Sequence, residues 1–293
     1  MKRIVIILCL MAAGTAAWAQ SKIVTDSIQS TKLGCEQKYN VYLPSGYDAA
    51  KSYPVIYLLH GLYGDYSNWA GTGRMKDVAD ELIACGELVP TVIIMPNAGD
   101  NDVHNYQNGY FNVKDWPYED FFFEEFLPAA EKKYNCGGCK GRRAIMGLSM
   151  GGGGSIVYAQ HHPDLFSSAY GMSAWLDNKH REVRGANRPG SKLVITDESV
   201  REHSALDFID QADDATKAQL RTVKWFLDCG DDDILMLLSV QLHLKMNEAG
   251  IKNELRVRNG GHTWEYWHTA LRLSLPFASR NFCQSTITNK AEG

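Results

Sequence analysis

The chain has 293 residues, of which 45% are hydrophobic and 22% charged, enough to bury a large core and too evenly mixed for a disordered or coiled-coil protein. Its 30 Lys and Arg against 34 Asp and Glu give a net charge of -4, which argues against a polyanion-binding surface and against nucleic acid as a partner.

Taken in order, the chain opens with Lys2 and Arg3, an apolar run over 4–13, and Ala17-Trp18-Ala19. This reads as an export signal over 1–19, cleaved to leave Gln20 first, and the run is too short to cross a bilayer. A periplasmic or extracellular protein without stable membrane association is the expectation. Cys9 leaves with the signal, so Cys35, Cys85, Cys136, Cys139, Cys229 and Cys283 would meet an oxidising compartment. Cys136-Gly-Gly-Cys139 is the favoured local bridge, and fifteen complete pairings are open to six cysteines.

Residues 21–47 alternate polar and apolar side chains and predict two antiparallel edge strands, closed by the turn Pro44-Ser45-Gly46-Tyr47-Asp48. Val55-Ile56-Tyr57-Leu58-Leu59 is continuously apolar, as in a strand buried on both faces, and leads into His60-Gly61-Leu62-Tyr63-Gly64. Residues 75–85 predict an amphipathic helix, 91–95 a second buried strand and 118–134 a further helix with Glu124-Glu125 on a solvated face. Arg143-Ala144-Ile145-Met146 is a short strand and 155–160 a helix, stopped by His161-His162-Pro163. A strand follows over 165–171. Residues 176–221 turn polar and read as an insertion carried on the sheet. A strand over 223–229, a helix over 235–249 stopped by Gly250, a strand over 253–257 and a helix to about Ser279 complete the pattern. Alternating strands and helices predict a doubly wound, mainly parallel α/β sheet forming one domain over 20–293.

Between the strand at 143 and the helix at 155 lies Gly147-Leu148-Ser149-Met150-Gly151-Gly152-Gly153. A G-x-S-x-G sequence on a strand–turn–helix places a serine hydroxyl at the end of a sheet, with glycines allowing close packing around it. There is no G-x-G-x-x-G register and no following Lys-Ser/Thr, so a nucleotide site is disfavoured. Ser149 is therefore read as a nucleophile, which needs a base and a group to orient that base. His262 is the one histidine on a glycine-rich loop after a strand, and Asp231-Asp232-Asp233 follows the preceding strand. The order Ser, Asp, His is that of α/β-hydrolases. The amides of Leu62 and Met150 are the candidate oxyanion donors. Trp69, Trp175 and Trp264 are candidate pocket walls. Neither a cofactor nor a metal is expected.

The spans Tyr57 to Gly61, Gly147 to Gly153, Cys229 to Leu235 and Gly261 to Trp267 resemble the esterase D-like branch of the α/β-hydrolases, which includes S-formylglutathione hydrolases, tributyrin esterases, mycolyltransferases and bacterial feruloyl esterases. The likeness is greatest to the last group and runs over about 37–277. It places the acid on Asp233 and supports Leu62 and Met150 as oxyanion amides. It implies an α/β-hydrolase fold and a secreted serine carboxylesterase acting on small esters or esterified oligosaccharides, such as feruloyl or acetyl esters of plant polysaccharide. The alternatives are an acyltransferase of the mycolyltransferase type using the same triad, and a carbohydrate-binding protein that has kept the fold.

Overall fold

The computed structural model describes residues 20–99, 109–179 and 192–283. The expected export signal at 1–19 and part of the insertion lie outside them. The main sheet has eight strands in the order β1-β2-β4-β3-β7-β8-β9-β10, and only β2 runs against its neighbours. In chain order these are β1 Lys22–Gln29, β2 Glu36–Leu43, β3 Val55–Leu59, helix α1 Met75–Ala84 and β4 Val92–Pro96. A two-stranded ribbon of β5 Asn112–Val113 and β6 Trp116–Pro117 precedes helix α2, Tyr118–Phe121. A π-helical turn at Phe122–Phe126 joins α2 to α3 Leu127–Tyr134, so the predicted single helix carries a local widening.

Then come β7 Arg143–Leu148, α4 Ser149–His161 and β8 Ser168–Met172. The described part of the polar insertion forms α5 Lys192–Glu202, α6 Ala205–Gln211 and α7 Asp214–Leu220, and β9 Lys224–Gly230, α8 Met236–Glu248, β10 Asn253–Arg258 and α9 Trp264–Asn281 complete the fold. This is the expected doubly wound sheet with reversed edge pairing at its amino-terminal side.

Strand alternation divides the core. Val55, Tyr57 and Leu59 face the layer containing α2 to α4, while Ile56 and Leu58 face α1 and α9. Both faces are covered, so the central strands are apolar throughout. After β4 the chain crosses back to the other side of β3 to form β7, which makes the β3–β7 boundary a topological switch point. The register is level there: Leu59 pairs with Gly147, Leu148 with Met172, Met172 with Asp228 and Gly230 with Arg258. The loops leaving β3, β7, β8, β9 and β10 therefore emerge side by side.

The expected Cys136–Cys139 bridge is not formed. All six cysteines among the described residues are free thiols, and Cys136 is buried while Cys139 is exposed, so the two face opposite environments across Gly137-Gly138 rather than each other. On the 118–134 stretch, Glu131 turns inward and makes a buried ion pair with Arg143 at 2.6 Å, tying α3 to the start of β7.

Candidate active site

Ser149 is the first residue of α4 and has φ 53, a left-handed conformation that strains a side chain bearing a Cβ. The strain is held by packing that only glycine permits. A Cβ on Gly147 would lie 2.5 Å from the Gly151 carbonyl oxygen, and one on Gly151 would lie 2.4 Å from the His60 carbonyl oxygen. The helix is thus driven against the ends of β3 and β7, and the serine is turned outward between them. Trp175 N–H donates to the Ser149 carbonyl at 2.9 Å, anchoring the elbow to the loop after β8.

The three residues of the expected triad lie in one hydrogen-bonded line. Ser149 Oγ is 2.9 Å from His262 Nε2, and His262 Nδ1 is 2.9 Å from Asp233 Oδ2 and 3.1 Å from Oδ1. The Asp233 side chain is fully buried and His262 is partly exposed. Burial by itself would raise the Asp233 pKa, but hydrogen bonds from His262, the Leu235 amide and Ser173 outweigh it and hold the carboxyl below its ordinary range. The neighbouring aspartates do other work. Asp231 Oδ1 accepts from the Gly260 amide at 2.9 Å, the Asp232 amide donates to the Gly260 carbonyl at 3.0 Å, and both aspartates are exposed.

The candidate oxyanion amides come from two elements. Met150 is the second residue of α4, where an amide has no partner within the helix and the helix dipole favours negative charge. Leu62 follows Gly61, and a Cβ on Gly61 would fall 3.5 Å from Ser149 Cβ, so this loop runs directly past the nucleophile. Among the described residues, no backbone acceptor takes the Leu62 N–H.

A cleft of about 690 Å³ opens over Ser149 and His262. Leu62 and Tyr63 form one lip and Ile234 and Leu235 another, with Trp175, Trp264 and Trp267 among the walls. Two of the three expected tryptophans, Trp175 and Trp264, reach it. Trp69 does not: it is 1% exposed, donates from its indole nitrogen to the Leu59 carbonyl at 2.9 Å and packs edge-on behind Trp264. Trp69 is removed from the pocket walls because its polar edge is spent on the end of β3.

Sequence reasoning passes over three residues that support this site. His60 is wholly buried and accepts the Ala98 amide at Nε2 (3.0 Å), which leaves its Nδ1–H to donate to the Gly61 carbonyl at 2.8 Å. Burial lowers its pKa to about 4, so it is a neutral brace for the Leu62 loop. Its position directly after an apolar strand was the available signal. Ser173, with φ 46, accepts the Trp267 indole N–H at 3.0 Å and bonds Asp233, and Trp267 stands edge-on to the His262 ring at 4.8 Å. Nothing local in the sequence marks either one.

Comparison with known proteins agrees with this architecture. The Esterase family matches residues 30–278. A solved ferulic acid esterase is 46% identical and superposes with a TM-score of 0.86 over 90% of this chain and 100% of its own. An S-formylglutathione hydrolase from Staphylococcus aureus, 21% identical, shares the fold with a TM-score of 0.72 over 89% of this chain and 100% of its own. The endo-1,4-beta-xylanase/feruloyl esterase of Xylanibacter ruminicola is 32% identical over 142 residues, which are 47% of this chain and 19% of that protein, so the match spans about a fifth of that relative's length. The chain belongs to the esterase family, the carboxylic ester hydrolases of the α/β-hydrolase fold.

Proposed function

We propose that the protein is an exported serine esterase that cleaves aromatic, ferulate-type acyl groups from carbohydrate through an acyl-enzyme on Ser149. The observation that carries this reading is the unbroken line Ser149–His262–Asp233 at the floor of an apolar cleft. His262 Nε2 takes the proton of Ser149 Oγ as it attacks the ester carbonyl, and Asp233 holds Nδ1–H and stabilises the imidazolium. The amides of Leu62 and Met150 receive the developing oxyanion. His262 then returns the proton to the departing alcohol and activates the water that releases the acid.

The acyl preference is supported by the walls Trp175, Trp264 and Trp267, which offer flat apolar faces, and by 46% identity to a ferulic acid esterase. Residues 1–19 would direct export, which suits an extracellular ester. Initial rates on methyl ferulate, p-nitrophenyl acetate and p-nitrophenyl octanoate, with Ser149→Ala as blank, test both parts. The highest kcat/KM on methyl ferulate is expected. A preference for acetate with little ferulate turnover would overturn the aromatic acyl pocket, and turnover by Ser149→Ala would overturn the mechanism.

A further inference from the structure

His262 sits on the loop 259–263, and its distance from Ser149 depends on what holds that loop. Gly260 has φ 138, a conformation closed to other residues, and a Cβ there would meet the Tyr266 ring at 2.7 Å. The Tyr266 ring is therefore the seat on which the loop rests. The same tyrosine meets the loop again where its amide donates to Thr263 Oγ1, the cap of α9, at 3.4 Å.

Tyr266 is itself fixed from below. Its hydroxyl donates to Asp228 Oδ1 at 2.6 Å, a short bond to a carboxylate with no solvent exposure. Asp228 is held by Arg258 through Nε at 3.1 Å and Nη2 at 2.9 Å, and by the Tyr170 hydroxyl at 2.8 Å. The Arg258 guanidinium also covers the Tyr266 ring at 4.1 Å from its centre. From the other side, Asp231 and Asp232 bind both polar groups of Gly260, and a Cβ on Gly230 would lie 2.0 Å from the Gly260 carbonyl oxygen. The loop bearing the base is thus clamped between the acid loop and the Tyr266 ring.

We propose that Tyr266, anchored on Asp228, is a positioning residue that sets His262 against Ser149 through Gly260, with Asp231 as the second jaw of the clamp. This rests on the reading of His262 as the base. Tyr266 is buried and does not line the cleft, so its contribution must pass through the imidazole.

A double-mutant cycle tests this. The kcat and KM for p-nitrophenyl acetate are measured for the parent, Tyr266→Phe, His262→Ala and the double variant, with an unfolding midpoint for each. Tyr266→Phe keeps the ring and frees it from Asp228; kcat should fall about tenfold with KM within about twofold. In the His262→Ala background the same change should alter the residual rate by less than about twofold, because the group it positions is gone. An unchanged kcat, or an equal loss in both backgrounds, would overturn the proposal. Full turnover by His262→Ala would overturn the base assignment first, and the Tyr266 inference with it. Should Tyr266→Phe fail to fold, the exposed Asp231→Ala breaks the other jaw and must show the same split between kcat and KM and the same dependence on His262.

Discussion

Asp228 and Asp233 are two fully buried carboxylates carried by the end of one strand and the turn that follows it, and they differ in the company they keep. Asp228 faces the permanent charge of Arg258 and two tyrosine hydroxyls, and burial beside this carboxylate pushes the pKa of both tyrosines up. Neither tyrosine hydroxyl loses its proton near neutral pH. Asp233 faces His262, an imidazole that can gain and lose a proton while its far nitrogen touches Ser149. On the proposed mechanism the first carboxylate is framework and the second serves the chemistry, and the nature of the partner separates them.

Substitution should split the two along that line. Asp233→Asn is expected to lower kcat about 10⁴-fold by releasing the histidine tautomer, with a smaller fall in the unfolding midpoint than Asp228→Asn gives. Asp228→Asn should do the reverse, destabilising the fold by about 3 kcal/mol because Arg258 loses its partner, with a loss in kcat closer to tenfold. Parallel kinetic and thermal unfolding measurements check both. A large kinetic loss from Asp228→Asn at unchanged stability would erase the distinction.

His60 offers a third buried group, and it sharpens the contrast through pH. Its folded pKa of about 4 lies below the ordinary histidine value of about 6.5, so the unfolded chain takes up the proton first as pH falls. The stability that His60 contributes should therefore fall as pH drops from about 6.5 to 4, by about 3 kcal/mol in all, and flatten below. Asp233 runs the other way in origin: its depressed carboxyl pKa gives stabilisation that is complete above the ordinary carboxylate range and lost only at more acid pH. Unfolding free energies from pH 7 to 5, above the carboxylate range, should show a slope that His60→Gln removes. Identical slopes in the two proteins would show that His60 is not the neutral brace described.

Much of this was legible in the sequence because its determinants are local. Apolar runs marked the central strands, and Gly147 to Gly153 marked the elbow between β7 and α4. The chain order of Ser149, Asp233 and His262 matched the order in which parallel strands deliver their loops to one end of a sheet. The choice of Asp233 over its two neighbours needed a family likeness; in the structure the other two carboxylates are exposed, and of the two only Asp231 makes a side-chain hydrogen bond among the described residues, from the Gly260 amide. What was hidden depends on distant partners. Asp228 meets Arg258 and Tyr266 only across β9, β10 and α9, and Trp69 differs from Trp264 only in which atoms lie behind it. The polar composition of 176–221 concealed α5 to α7: the residues α5 buries include Thr196, Asp197 and Ser199, and α7 buries Leu220 alone.

The most direct test of the central claim is reaction with a fluorophosphonate followed by mass spectrometry of the peptides. One adduct per chain is expected, on Ser149, formed at a rate that falls sharply in His262→Ala. Absence of reaction, or an adduct on another serine such as Ser155 or Ser173, would contradict it.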